Sequence, residues 1–162
     1  MRYWTKLIFV LLIATSITSC GFKAVLHHEL NFTYNFLQNI ELIHLTSCEG
    51  TYYYNYLKSL LPPVKQAKYF LETKLSYSTT HGFIQKNSDI LKEIITIHVI
   101  YKLFELRTKK LITSGHFSKT ESHTTDLSPY ENQINHKTIK KLLAIISAEE
   151  VRNQLILFNK KK

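Results

Sequence analysis

Between Ile94 and Leu106 the chain alternates with a period of two. Ile95, Ile97, Val99, Tyr101 and Leu103 fall on one side, Thr96, His98 and Lys102 on the other. That period belongs to a strand with one buried face. Tyr69 to Ser78 repeats it, with Tyr69, Leu71, Thr73, Leu75 and Tyr77 opposed to Glu72, Lys74 and Ser76. Leu111 to about Glu121 reads as the antiparallel return, and Gly115 within it marks a bulge or a close approach of another group. Arg107-Thr108-Lys109 makes the turn between them without the Asn-Gly or Asp-Gly of a tight hairpin. Ile40 to Thr46 also alternates and predicts a first strand, buried on both sides for part of its length.

Two stretches switch to helical spacing. Tyr53, Leu57, Leu60 and Leu61 predict a short helix over 49–61, ended by Pro62-Pro63. Ser128-Pro129-Tyr130-Glu131 combines a serine cap, proline at the first helical position and glutamate two residues on. The helix it opens carries two apolar stripes, Ile139, Leu142, Leu143 and Ile146, then Ala148, Val151, Leu155 and Phe158. A single long helix running to the Lys160–Lys162 end accommodates both. Residues 79–90, with His81-Gly82 and Asn87-Ser88-Asp89, suit a connecting loop. The element order predicts an α+β fold: a two-layer sandwich of about four strands with both helices packed on one sheet face.

The first twenty residues carry a different pattern. Arg2 and Lys6 precede Leu7–Ala14, a run of eight apolar residues, and Thr15–Ser19 leads into Cys20. A basic start, a short apolar stretch and small residues describe a secretory signal peptide. The run is too short for a membrane-spanning helix of roughly 20 residues. Ile17-Thr18-Ser19-Cys20 resembles a bacterial lipobox, in which the cysteine is diacylated on sulfur and cleaved on its amino side. The expected organisation is a lipoprotein signal peptide over 1–19, a lipidated lead-in over 20–39 and an α+β domain over 40–162. One acyl chain anchors only marginally, whereas two or three hold firmly. Gly21 follows the cysteine rather than an inner-membrane retention aspartate, which favours the outer membrane.

Composition narrows the partners. The chain is 44% apolar and 20% charged, which suits a globular domain. Without Arg2 and Lys6, the remaining basic side chains exceed the 12 acidic ones by about 7, a balance that favours anionic partners. Export excludes nucleic acid in practice, and no zinc-finger, helix-turn-helix or RNP pattern occurs. With Cys20 lipidated, Cys48 has no intramolecular partner; a buried, inert thiol is expected, with a thiol available for an intermolecular bond as the alternative.

Four stretches together resemble the LptE family of lipopolysaccharide-assembly lipoproteins. They are Cys20-Gly21-Phe22; Tyr101-Lys102-Leu103 with Leu111, Ser114-Gly115 and Phe117; Ser128-Pro129-Tyr130; and Ala148-Glu149-Glu150-Val151-Arg152 with Leu155 and Phe158. Lys23-Ala24-Val25, Asn153-Gln154 and the turn without glycine depart from the family pattern. The resemblance implies an outer-membrane lipoprotein on the periplasmic side that plugs and helps assemble a large β-barrel partner, LptD, for insertion of lipopolysaccharide. It implies no cofactor beyond the covalent lipid on Cys20. The rival expectations are an assembly or pilot factor for a different envelope complex and a periplasmic carrier of an acyl ligand. The carrier requires an apolar cavity, of which this composition gives no sign.

For lipopolysaccharide phosphates, Arg107, Lys109 and Lys110 form the densest basic cluster outside the tail. Tyr52, Tyr53, Tyr54 and Tyr56 wrap most of their helix and serve mainly in packing, with a partner-facing patch as the alternative. His27-His28 point apart on extended chain. His98 and His116 fall on neighbouring strands but lack a carboxylate or cysteine at metal-ligand spacing. Glu149 and Glu150 diverge by about 100° on a helix. No G-x-S-x-G, H-E-x-x-H or glycine-rich phosphate loop is present, so neither a metal nor an enzymatic activity is expected.

Overall fold

The computed structural model describes residues 33–82, 91–125 and 128–160. Four strands, β1 (Ile40–Leu42), β2 (Tyr69–Gly82), β3 (Leu91–Glu105) and β4 (Leu111–Thr125), lie in the order β1-β2-β3-β4. Helix α1 (Cys48–Leu60) connects β1 to β2, and helix α2 (Pro129–Lys160) follows β4. β1 runs parallel to β2, while β2, β3 and β4 form an antiparallel meander. The crossover through α1 is what makes a parallel pair possible, since parallel strands cannot be joined by a tight turn.

One sheet face supplies the core. Leu71, Ile95, Ile97, Val99, Tyr101 and Leu103 are buried against Tyr53 and Leu57 of α1 and Leu143, Ala144, Ala148, Val151 and Leu155 of α2. The alternating stretches therefore face as their period predicts. α2 is one continuous helix; Ala148, Val151 and Leu155 of the second stripe are buried as the sequence predicts, whereas of the first stripe only Leu143 is fully buried. The buried residues are Leu143, Ser147, Val151, Leu155 and Asn159, with Ala144 and Ala148 beside them, whereas Leu142 is 44% exposed. A spacing of four advances 40° per step, so the seam winds around the helix from one neighbour to the next. Polar Ser147 and Asn159 within it hide it from an apolar pattern.

Three expectations need correction. β1 spans only Ile40–Leu42, and Ile43 is 45% exposed, because the chain leaves the sheet to reach the cap of α1. β2 continues through the stretch expected as loop as far as Gly82, paired with Lys92; residues 83–90 lie outside the described ones. Cys48 is exposed, since it opens the first turn of α1 away from the sheet, directly after the capping Ser47.

Before β1, residues 33–37 form a helical turn, and Leu37 is buried in the core. The Phe36 ring packs on Tyr69 at 5.7 Å and on Phe158 at 6.4 Å.

Candidate functional site

The basic turn between β3 and β4 is the first candidate. The Lys109 amide donates to Glu105 O at 2.9 Å, and the Glu105 amide donates to Lys110 O at 2.9 Å. Lys109 takes the left-handed conformation, φ 57°, in the position that glycine usually fills. Thr108 Oγ1 donates to the Glu105 carboxylate and accepts from the Lys110 amide at 3.3 Å. Arg107, Lys109 and Lys110 are all exposed. The Leu106 amide donates to Lys68 O at 2.8 Å, which adds exposed Lys68 to the same end of the sheet.

Aromatic surface accompanies these cations. Phe70 and Phe104, on the face opposite the helices, stack at 5.0 Å with planes 15° apart, and Lys109 Nζ lies 4.7 Å from the Phe70 ring centroid. The sequence held a signal for this pair: both fall at the polar parity of their strands, beside Glu72 and Lys102. A fork of cations over an aromatic step can pair with an anionic group while covering apolar surface next to it.

Much of the rest of that face is a polar ladder, with exposed Ile100 and Leu111 standing among its polar residues. Ser78 Oγ lies 3.1 Å from His98 Nε2, His98 Nδ1 lies 2.8 Å from Ser118 Oγ, and the Thr96 and Thr120 hydroxyls are 3.0 Å apart. His98 and His116 do sit on neighbouring strands of this face, one register step apart diagonally. Among the described residues no group of three or more His, Cys, Asp or Glu could hold a metal ion.

The remaining chemistry-bearing residues tie elements together. Glu149 and Glu150 diverge: Tyr56 Oη donates to Glu149 at 2.6 Å, while Glu150 accepts from Gln154 at 3.0 Å and Lys119 at 3.2 Å. Those two bonds, Gln154 foremost, hold the Glu150 carboxyl below its ordinary range. Tyr101 Oη completes the chain by donating to Gln154 at 2.8 Å, and burial raises its phenol. The tyrosine cluster divides as well. Tyr53 is in the core, its phenol pushed up by burial, and Tyr52 lies under Lys141 at 5.1 Å. At the other end of the sheet, His81, Glu93 and His123 stand in one register row, with His123 Nε2 at 3.3 Å from Glu93.

A cavity of about 580 Å³, unanticipated by composition, lies between β1, α1 and the connection to β2. Ile40, Glu41 and Leu42 line it with Tyr54, Lys58, Leu61, Pro62 and Val64. Cys20 lies outside the described residues. Among those described, no helix is long and apolar enough to cross a membrane.

The two-layer α+β domain is a fold shared with bacterial lipoproteins of known structure. A Caulobacter crescentus CB15 protein described as a lipoprotein superposes with a TM-score of 0.65 at 12% identity, over 83% of this chain and 99% of its own. A minor lipoprotein from Acinetobacter baumannii gives 0.51 at 18% identity, over 73% and 88%. Rare lipoprotein B from Shewanella oneidensis gives 0.56 at 10% identity, over 72% and 91%. No protein-family model matches the sequence. The chain is 32% identical over 151 residues to uncharacterized protein RP188 of Rickettsia prowazekii (strain Madrid E), covering 93% of this chain and 96% of that protein. It belongs to the family of that protein.

Proposed function

We propose that this chain is an outer-membrane lipoprotein of the LptE type, anchored through Cys20, that plugs and helps assemble an LptD-type β-barrel for lipopolysaccharide insertion. The observation that carries the reading is the fold, matched over 99% of the Caulobacter crescentus lipoprotein and joined here to a lipobox-like Ser19-Cys20. A barrel lumen is polar, and the hydroxyl- and imidazole-rich sheet face has the chemistry to lie against it. The role is noncatalytic. Arg107, Lys109 and Lys110 are the proposed contacts for lipid A phosphates, and the stacked Phe70 and Phe104 rings offer apolar surface beside them.

Gentle detergent extraction of the native protein tests the barrel. A stoichiometric large β-barrel is expected in the purified complex, and its consistent absence would overturn the plug. Mass spectrometry of the mature amino terminus should find acyl chains on Cys20, and Cys20→Ala should release the domain from membranes. Reversing the charges at 107, 109 and 110 should weaken lipopolysaccharide binding and flatten its salt dependence. Unchanged affinity would dismiss the cluster.

A further inference from the structure

The two halves of α2 are held differently. Every buried residue of the helix lies at or beyond Leu143, and before it only Ile139 packs against the core, partly buried. The start is also loosely capped: the Glu131 amide lies 3.5 Å from Ser128 Oγ, against 3.0 Å for the equivalent bond of α1. Thr138 Oγ1 donates back to Ile134 O at 2.9 Å, a bond that slightly destabilises and often bends a helix. At Lys140 the helix becomes fastened. Its carbonyl accepts from Tyr77 Oη at 3.4 Å, and its ammonium lies 3.9 Å from Glu49 of α1.

The sheet at that end is polar. His81, Glu93 and His123 share the parity of buried Ile95 and so continue the helix-covered face. Glu93 lies 3.3 Å from His123 Nε2 and 3.9 Å from His81 Nε2. The His123 side chain is 11% exposed, yet neither ring nitrogen makes a hydrogen bond, so the row holds a covered polar group unsatisfied. His136, half-buried on α2, is within electrostatic reach of Glu93, His123, Lys140 and Glu49. Glu121, at the same parity on β4, is exposed, as are Glu131 and Lys137 on α2.

From this arrangement we infer that the first three turns of α2, residues 129–139, are an acid-released latch over the far end of the sheet, detaching when the imidazoles there gain charge while the rest of the fold stays in place. The proposal goes beyond the barrel-plug reading and stands without it. Above neutrality that end holds the Glu93 carboxylate and the Lys140–Glu49 pair; three imidazoliums turn the balance positive around a covered site. Glu93 and Glu49 attract a charge on His136, but burial, Lys140 and His123 outweigh them. The docked helix start therefore binds its proton more weakly than the released one. By linkage, docking is favoured above the ordinary value of 6.5 and is lost as pH falls below it. Since residues 129–139 bury little apolar surface, they open before the seam from Leu143 onward does.

The test follows amide hydrogen exchange of the full-length protein in detergent at about pH 7.5 and about pH 5, scaled for the chemical exchange rate at each. Protection over residues 131–139 should fall about threefold or more at the lower pH, while residues 144–158 keep theirs and report that the fold persists. His136→Gln should remove most of that difference. Glu93→Gln, which takes away a carboxylate that favours the charged ring, should enlarge it. Equal loss in both halves of α2, unchanged protection over residues 131–139, an undiminished loss in His136→Gln, or a smaller loss in Glu93→Gln would each overturn the latch.

Discussion

A β-carbon on Gly115 would stand 2.5 Å from Cε1 and from the hydroxyl of Tyr101, its register partner on β3. The Tyr101 ring lies across the glycine and cannot swing away, because its hydroxyl is held by Gln154 and the residue is 5% exposed. Gly115→Ala should cost about 1–3 kcal/mol in urea denaturation through overpacking. In a Tyr101→Ala background that penalty should vanish, since the clash has one partner. The sequence marked Gly115 as a close approach or a bulge, and the close approach is what the fold contains. The bulge lies instead between Leu103 and Phe104, opposite Ile112, where no glycine signals it. Cys48 was legible only as a lone thiol, because its exposure depends on which way the first turn of α1 faces.

The two ends of α1 follow local chemistry closely. Ser47 Oγ accepts from the Gly50 amide at 3.0 Å and starts α1, and Pro62-Pro63 beyond Leu61 forbids its continuation. Ser47→Ala should lower stability by about 1 kcal/mol, as read from the urea midpoint at constant slope. Leu155, fully buried in the α2 seam, should cost about 2–5 kcal/mol when cut to alanine. The face of α2 was harder to read than its extent. A helix clasped between another helix and a sheet buries a winding seam, so Ser147 and Asn159 go inside while Leu142 and Leu157 stay outside. β1 was equally hidden: alternation continues past Leu42, yet the backbone departs from β2 there.

Across the whole molecule, charge links the far end of the sheet to α2. Burial, reinforced by Lys140, pushes the His136 imidazole below its ordinary value of 6.5, and nearby Glu93 opposes the shift. Lys140 also lies 3.9 Å from Glu49 and 5.4 Å from the Tyr77 ring, joining α2 to α1 and β2. A histidine whose folded value is depressed binds fewer protons folded than unfolded, so stability falls as pH drops through 6.5 toward the folded value. Glu150 adds a second loss further down, because its depressed carboxyl stabilises the fold only while ionised. Urea denaturation at pH 8 and pH 5.5 should show the first loss, and His136→Gln should shrink it. Equal losses in both proteins would refute the assignment.

By itself the sequence determined the element order, the parity of three strands, the helix cap and the two-layer class, because those follow from period and from neighbours within a few residues. It also singled out Arg107, Lys109 and Lys110, whose exposure at a turn is a local property. Only the tertiary structure decided the stacking of Phe70 on Phe104, the winding seam of α2, the His81–Glu93–His123 row and the cavity along β1. Each arises where segments distant in sequence meet, and the register and crossing that bring them together are set by packing over the whole core rather than by any local pattern.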